Sequence, residues 1–118
     1  MKRIGLFLLA AVMVAGLAGC PGKNHTADVV GTWTMTNDWY CDGSMDTFTW
    51  YIQNNGTFIS SSGSTGTYDV DGNDITLNYA NGTIYSGNVD GDTMDGTMVA
   101  AGSGGTGCWS AYRISHTP

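Results

Sequence analysis

"GTYDVDGNDITLNYANGTIYSGNVDGD", Gly66 to Asp92, decides the fold. In "TGTYDV" Tyr68 and Val70 fall on one face, and in "DITLNY" Ile75, Leu77 and Tyr79 do the same. Apolar residues at every second position mark a strand with one buried face. The breaks between them are "DGN" at Asp71–Asn73, "ANG" at Ala80–Gly82 and "DGD" at Asp90–Asp92. Asn, Asp and Gly tolerate positive φ, so each break is a tight hairpin turn. Short strands joined by tight turns give an antiparallel meander.

The same pattern extends in both directions. Upstream, "VGTWTMT" puts Trp33 and Met35 on one face and Thr32, Thr34 and Thr36 on the other. A loop is predicted over Asn37–Met45, and then "DTFTWYIQ" turns Phe48, Trp50 and Ile52 inward. "NNG" at Asn54–Gly56, the short "TFISS" and a turn over Ser61–Ser64 lead into the opening stretch. Downstream, "TMDGTMV" places Met94 and Met98 on one face, "AAGSGGTG" is a loop, and "CWSAYRIS" closes the chain. "NGTF…GTYDVDGNDITL" and "NGTI…SGNVDGDTM" are weakly self-similar hairpins. The expected fold is all-β, a small eight-stranded antiparallel up-and-down barrel following an N-terminal signal segment. Closure removes the exposed strand edges that an open meander would leave.

The N-terminus is of a different kind. Met1-Lys2-Arg3 is cationic, and Ile4 to Gly19 is apolar and uncharged. That run falls short of the ~20 residues that span a hydrocarbon core. A positive head, a brief apolar stretch and small residues describe a secretory signal; an uncleaved signal anchor is the alternative. Leu17-Ala18-Gly19-Cys20 resembles the lipobox of bacterial lipoproteins. The resemblance implies cleavage before Cys20, a diacylglyceryl group on its thiol and acylation, including palmitate, of the new amine. Several acyl chains anchor stably where one does not. Pro21 at the next position implies the outer membrane, facing the periplasm or the surface, in a Gram-negative organism. The chain then divides into a signal peptide (1–19), a lipidated cysteine with a polar tether (20–28) and a barrel (29–118).

Removing residues 1–19 leaves Lys23 and Arg113 against ten aspartates and no glutamate, a net charge of −8. So acidic a surface argues against nucleic-acid binding, which needs clustered Lys and Arg. With Cys20 assigned to lipid, Cys41 and Cys108 remain, and outside the cytoplasm two thiols form a disulfide. The meander supports the pairing. Successive turns alternate between ends, so the turns at Asn54–Gly56, Asp71–Asn73 and Asp90–Asp92 share one end, the base. The loops at Asn37–Met45, Ser61–Ser64, Ala80–Gly82 and Ala100–Gly107 share the other, the mouth. In a closed barrel the first and last strands are neighbours, which brings Cys41 and Cys108 to one corner of the mouth.

Gly31-Thr32-Trp33 on the first strand, with Arg113 on the last, resembles the lipocalin and calycin pattern. There a G-x-W tryptophan closes the barrel base and an arginine from the final strand packs across it. The resemblance implies that role for Trp33 and Arg113; core packing for Trp33 and solvation for Arg113 are the alternatives. The family's second signature, an acidic-rich turn motif, is not recognisable.

No catalytic arrangement stands out. His25 lies in the tether and His116 at the tail, away from any Ser or Cys nucleophile a triad would need. The aspartates sit mostly in turns, where they satisfy local backbone, and nothing marks the apolar carboxyl site of a glycosidase. "DVDGND", Asp69 to Asp74, has the D-x-D-G-x-D spacing that opens a calcium loop, through Asp69, Asp71 and Asp74, but the distal bidentate glutamate is missing. Hairpin chemistry explains the same residues. No cofactor is expected.

Function is expected at the mouth. Trp39, Tyr40, Phe48, Trp50, Tyr79, Met98 and Trp109 fall toward that end. A hollow barrel would offer them to a small amphipathic ligand; a barrel plugged by its own side chains would offer only its rim, to a protein. The sequence thus describes a non-enzymatic, lipocalin-like binding module on a membrane anchor. Periplasmic inhibition of a lysozyme or protease is a second expectation. "WYCDG", Trp39 to Gly43, is similar to the Tyr-x-Cys segment of membrane-bound lysozyme inhibitors, and lipidated protease inhibitors share the architecture. A structural envelope protein without ligand is the third.

Overall fold

The computed structural model describes residues 26–118. Cys20, the expected lipobox and signal segment, and most of the expected tether lie outside the described residues. Eight strands follow in order: β1 (Gly31–Trp39), β2 (Met45–Ile52), β3 (Thr57–Ser60), β4 (Thr65–Asp71), β5 (Asp74–Tyr79), β6 (Ile84–Asp90), β7 (Thr93–Val99) and β8 (Thr106–Ser115). Each pairs antiparallel with its neighbour, and β1 pairs with both β2 and β8, so the sheet closes into an up-and-down barrel. One irregularity breaks the β1–β8 register, between Thr32 and Trp33.

The alternation read from the sequence sets the inside of the barrel. Trp33, Met35, Trp50, Ile52, Phe58, Ile75, Leu77, Met94 and Met98 are buried in one core. Gly72 and Gly91 stand at φ 63° and 60° in the two shortest base turns, a backbone region that L-residues enter only at a cost. Gly87 and Gly96 face each other across β6 and β7, and Trp109 is the β8 partner of Gly96. A Cβ on either glycine would collide with the opposite strand's backbone. The close approach lets the Trp109 indole Nε1 donate to the carbonyls of Ser86 (3.2 Å) and Thr97 (2.9 Å). The interior is therefore plugged, not hollow, through the level of Trp50. There Trp50 packs edge-on against Phe58, Tyr85 and Trp109 at centroid separations of 5.3–6.0 Å.

Three boundaries differ from the sequence reading. Asn37, Asp38 and Trp39 belong to β1, not to a loop, because Asn37 and Asp38 pair on both sides, with β2 and with β8, and Trp39 pairs with Gly107 of β8. Asn-Asp reads as a turn locally, but two flanking strands satisfy its backbone as a ladder. The last mouth loop shortens for the same reason: β8 begins at Thr106, whose carbonyl accepts from the Tyr40 amide. At the other end, the tail of the tether is part of the domain. Ala27 N donates to the Gly72 carbonyl, and Val29 is buried in the core.

Residues 26–30 thus cross the base, and Arg113 fastens them there. Its guanidinium lies 4.9 Å from the Trp33 ring centroid. Nη1 donates to the carbonyls of Asp28 and Val30, both at 3.0 Å, while Nε and Nη2 reach Asp92 Oδ1 at 2.9 and 2.8 Å. Trp33 Nε1 donates to the Val29 carbonyl at 2.9 Å. The Arg113 side chain is only 6% exposed, so it is not a solvated surface cation. A lysine has one point of charge in place of this fork. Arg113→Lys should therefore cost about 2 kcal/mol, from two or three lost bonds at roughly 1 kcal/mol each. Thermal unfolding should show a midpoint lowered by roughly 8–16 °C. Nη2 also donates to the Gly91 carbonyl at 3.3 Å, so three of the five bonds go to neutral carbonyls and the loss should persist in high salt; a loss that vanishes in salt would contradict this account.

Candidate functional site at the barrel mouth

The mouth loops are Tyr40–Ser44, Ser61–Ser64, Ala80–Thr83 and Ala100–Gly105, as the alternation of turns requires. Cys41 and Cys108 are joined there by a disulfide, with Cα atoms 5.3 Å apart. Tyr40 and Cys41 both take left-handed backbone, at φ 66° and 51°. Asp38 holds the rest of the loop, its carboxylate accepting from the amides of Asp42 (3.0 Å) and Gly43 (3.0 Å). Asp42 in turn accepts from the Ser44 amide, which draws its carboxyl below the ordinary value.

Inside this ring of loops is a cup of about 170 Å³. Trp39, Phe48, Tyr79 and Tyr85 form its aromatic walls. Asn37 and Ser60 are buried in it, and Ser62, Ser64, Asn81 and Thr83 ring its opening. No charged side chain lines it.

The hydrogen bonding of the cup is incomplete at one point. Asn37 is 5% exposed, and its Nδ2 donates to the Tyr85 hydroxyl at 3.1 Å. Its Oδ1 has no partner, and among the described residues it is the one buried side-chain polar atom so left. Buried polar groups are nearly always paired, because an unpaired one costs about 1–3 kcal/mol. Tyr79 is held by Trp50, whose Nε1 donates to its hydroxyl at 2.7 Å. Burial pushes the Tyr79 phenol up, against the opposing bonds from Trp50 and Ser60. Burial likewise raises Tyr85, with the Asn37 bond opposing and neighbouring Tyr79 adding to the rise. Both phenols therefore carry their protons at neutral pH.

Of the residues expected at the mouth, Trp39, Phe48 and Tyr79 line the cup. Trp50, Met98 and Trp109 are buried and do not line it; Trp50 and Trp109 belong to the edge-packed ring cluster. Tyr40 is 74% exposed on the strained loop and is not a wall residue either. Sequence reasoning missed Asn37, Ser60 and Tyr85. Tyr85 could have been found from β6 alone, where it alternates with Gly87 and Val89. Asn37 could not, because it was read as a turn residue.

The base carries no second site of the expected kind. Asp69, Asp71 and Asp74 are exposed along β4 and at the start of β5, and they do not converge. Among the described residues no three His, Cys, Asp or Glu side chains gather to hold a metal ion. A hollow of about 520 Å³ on the outer wall, around Ile59, Gly66 and Asn78, is larger than the cup but contains no unpaired buried polar atom. His116 stands at the base, 3.8 Å from Asp92, at the opposite end from the cup.

Compared with protein-family models and with curated proteins, the chain matches none.

Proposed function

We propose that this protein is a lipid-anchored envelope lipoprotein whose barrel is a non-enzymatic binding module, receiving a small ligand in the cup at its mouth. The observation that carries the binding role is the open cup itself, walled by Trp39, Phe48, Tyr79 and Tyr85 and lined by no charged side chain. The cup is smaller than the 300–1,000 Å³ of common ligand pockets. The plugged core beneath it leaves no room for a long acyl chain, so the amphipathic ligand of the sequence reading narrows to a compact one.

The anchor fits this reading by position. Residues 26–30 cross the base, and the five residues between Cys20 and Thr26 reach at most about 20 Å. A lipid on Cys20 would hold the base near the bilayer and turn the cup away from it.

Two measurements test the proposal. The full chain expressed with labelled palmitate should carry the label, and Cys20→Ser should not; label retained in that variant would remove the anchor. Ligand-observed NMR on the Cys20→Ser chain, against a mixture of phenols, indoles, small amides and sugars, should find at least one saturable binder that Trp39→Ala, a change in the wall of the cup, weakens. A mixture without such a binder would remove the binding role.

A further inference from the structure

Two turns carry the same tripeptide, Asn-Gly-Thr: Asn55–Thr57 at the base and Asn81–Thr83 at the mouth. They share one backbone frame. Gln53 N donates to the Thr57 carbonyl at 3.0 Å and Tyr79 N to the Thr83 carbonyl at 2.9 Å, with Gly56 and Gly82 at φ 87° and 98°. Each asparagine also accepts at Oδ1 from the threonine amide, at 3.1 Å from Thr57 and 2.9 Å from Thr83. Two contacts then differ. The Gly82 amide donates to the Tyr79 carbonyl at 2.9 Å. In the other turn the Gln53 carbonyl accepts from the Tyr68 phenol instead. The Gly56 amide is left without a backbone acceptor among the described residues, and touches the phenol oxygen only weakly. The threonine hydroxyls differ as well. That of Thr57 donates to Asn55 Oδ1 at 2.6 Å, whereas that of Thr83 accepts from the Ala101 amide and makes no bond to Asn81.

We propose that Asn55 is a site of self-modification, where the Gly56 amide nitrogen attacks the side-chain carbonyl carbon and converts asparagine to aspartate or isoaspartate, and that Asn81 is spared. The bond from Gly56 N to Cγ forms as the Cγ–Nδ2 bond breaks, and Nδ2 leaves as ammonia with the proton of the Gly56 amide. Water then opens the succinimide, at the side-chain carbonyl to give aspartate or at the main-chain carbonyl to give isoaspartate. Water enters, ammonia leaves and no electron is transferred. An amide held in a backbone bond must give up that bond before its nitrogen can attack, which restrains Gly82 and not Gly56. A donor on Oδ1 stabilises the negative charge that this oxygen gains as the carbon becomes tetrahedral. Asn55 has two such donors and Asn81 has one. Asn55 is exposed, so water reaches it. Burial, with Asp28 adding, pushes the Tyr68 phenol up, so it keeps its proton and its bond to Gln53 in mildly alkaline buffer. The site lies at the opposite end of the barrel from the cup and does not depend on the binding role. Its product puts a new carboxylate, or an extra backbone carbon, into the hairpin of β3, which pairs over only three residues on each side.

The test is to age the purified, disulfide-bonded protein in mildly alkaline buffer at physiological temperature and follow both asparagines by mass spectrometry. Chymotrypsin cuts after Tyr51 and Phe58 and after Tyr79 and Tyr85, so the two fall in separate peptides. Asn55 is expected to convert about fivefold faster than Asn81, or more, the worth of at least one backbone hydrogen bond. In the reduced chain unfolded in guanidinium the two tripeptides are equivalent, and their rates should come together. Equal rates in the folded protein, or a faster Asn81, would overturn the proposal. So would an excess at Asn55 that persists unchanged in guanidinium, because the difference would then belong to the flanking sequence and not to the fold. Thr57→Val removes the hydroxyl donor and should slow Asn55 while leaving Asn81 unchanged. Tyr68→Phe returns the Gln53 carbonyl to the Gly56 amide and should slow Asn55 too; either variant suffices if the other fails to fold. Folded variants that convert Asn55 at the parent rate would show both contacts to be incidental, and the proposal would fall.

Discussion

Trp50→Ala should unfold this barrel more readily than any other single change in its core, at a cost of about 4 kcal/mol, within the 3–5 kcal/mol range for a buried Trp→Ala change. Trp50 is fully buried and packs edge-on against Phe58, Tyr85 and Trp109, three rigid rings that cannot close over the cavity left behind. It also donates to the Tyr79 hydroxyl, and losing that bond leaves this phenol of the cup wall with Ser60 alone. A domain of this size has about 5–15 kcal/mol in all, so the variant should be partly unfolded at physiological temperature. Trp50→Phe separates the two effects. It keeps most of the ring packing and drops the bond, and should cost about 1–2 kcal/mol. Denaturant unfolding followed by far-UV circular dichroism measures both. A Trp50→Ala loss under about 1.5 kcal/mol would mean that the aromatic layer is not the keystone of the core.

Opening the Cys41–Cys108 disulfide, by reduction or by paired serine substitutions, has two effects of opposite sign. The two cysteines are 67 residues apart. In the chain-entropy account, a loop of that length contributes about 4 kcal/mol by restricting the unfolded chain. Against this stands the backbone of Tyr40 and Cys41, both in the left-handed region, where a non-glycine residue costs roughly 1–2 kcal/mol. The free loop can relax and recover part of that. The net loss should be about 3 kcal/mol, lowering the thermal midpoint by roughly 12–24 °C. Tyr40→Gly in the oxidised protein isolates the strain. Its phenol is exposed and its φ is one that glycine adopts freely, so the variant should be neutral or stabilised by up to about 1 kcal/mol. A reduced protein as stable as the oxidised one would show that the β1–β8 ladder alone closes the barrel.

Much of the fold was legible because each cue is local. Alternation put Trp33, Met35, Trp50, Ile52, Ile75, Leu77, Met94 and Met98 inward, and the structure buries all of them. Asn-Gly and Asp-Gly pairs marked the turns, and counting turns gave each loop its end. That count brought Cys41 to Cys108 and β1 to β8. What failed was also local. "ND" at Asn37–Asp38 has the composition of a turn, and only pairing on both flanks makes it strand. The cup was less legible than the barrel. An inward asparagine looks the same in sequence whether its amide is satisfied or not. Depth within the barrel, which separates the plug residue Trp50 from the wall residue Phe48, depends on how side chains from different strands interleave.

The sequence by itself determined the strand count, the closed antiparallel order, the inward face of most strands and the end at which each loop emerges, because a period of two and a turn's φ are properties of a few adjacent residues. Only the tertiary structure decided that the barrel is plugged, that Arg113 binds residues 26–30 across its base, and that Asn37 is left with an empty acceptor beneath Trp39 and Tyr85. Those outcomes are set by volumes and hydrogen bonds summed over strands far apart in the chain, and no short stretch of sequence contains that sum.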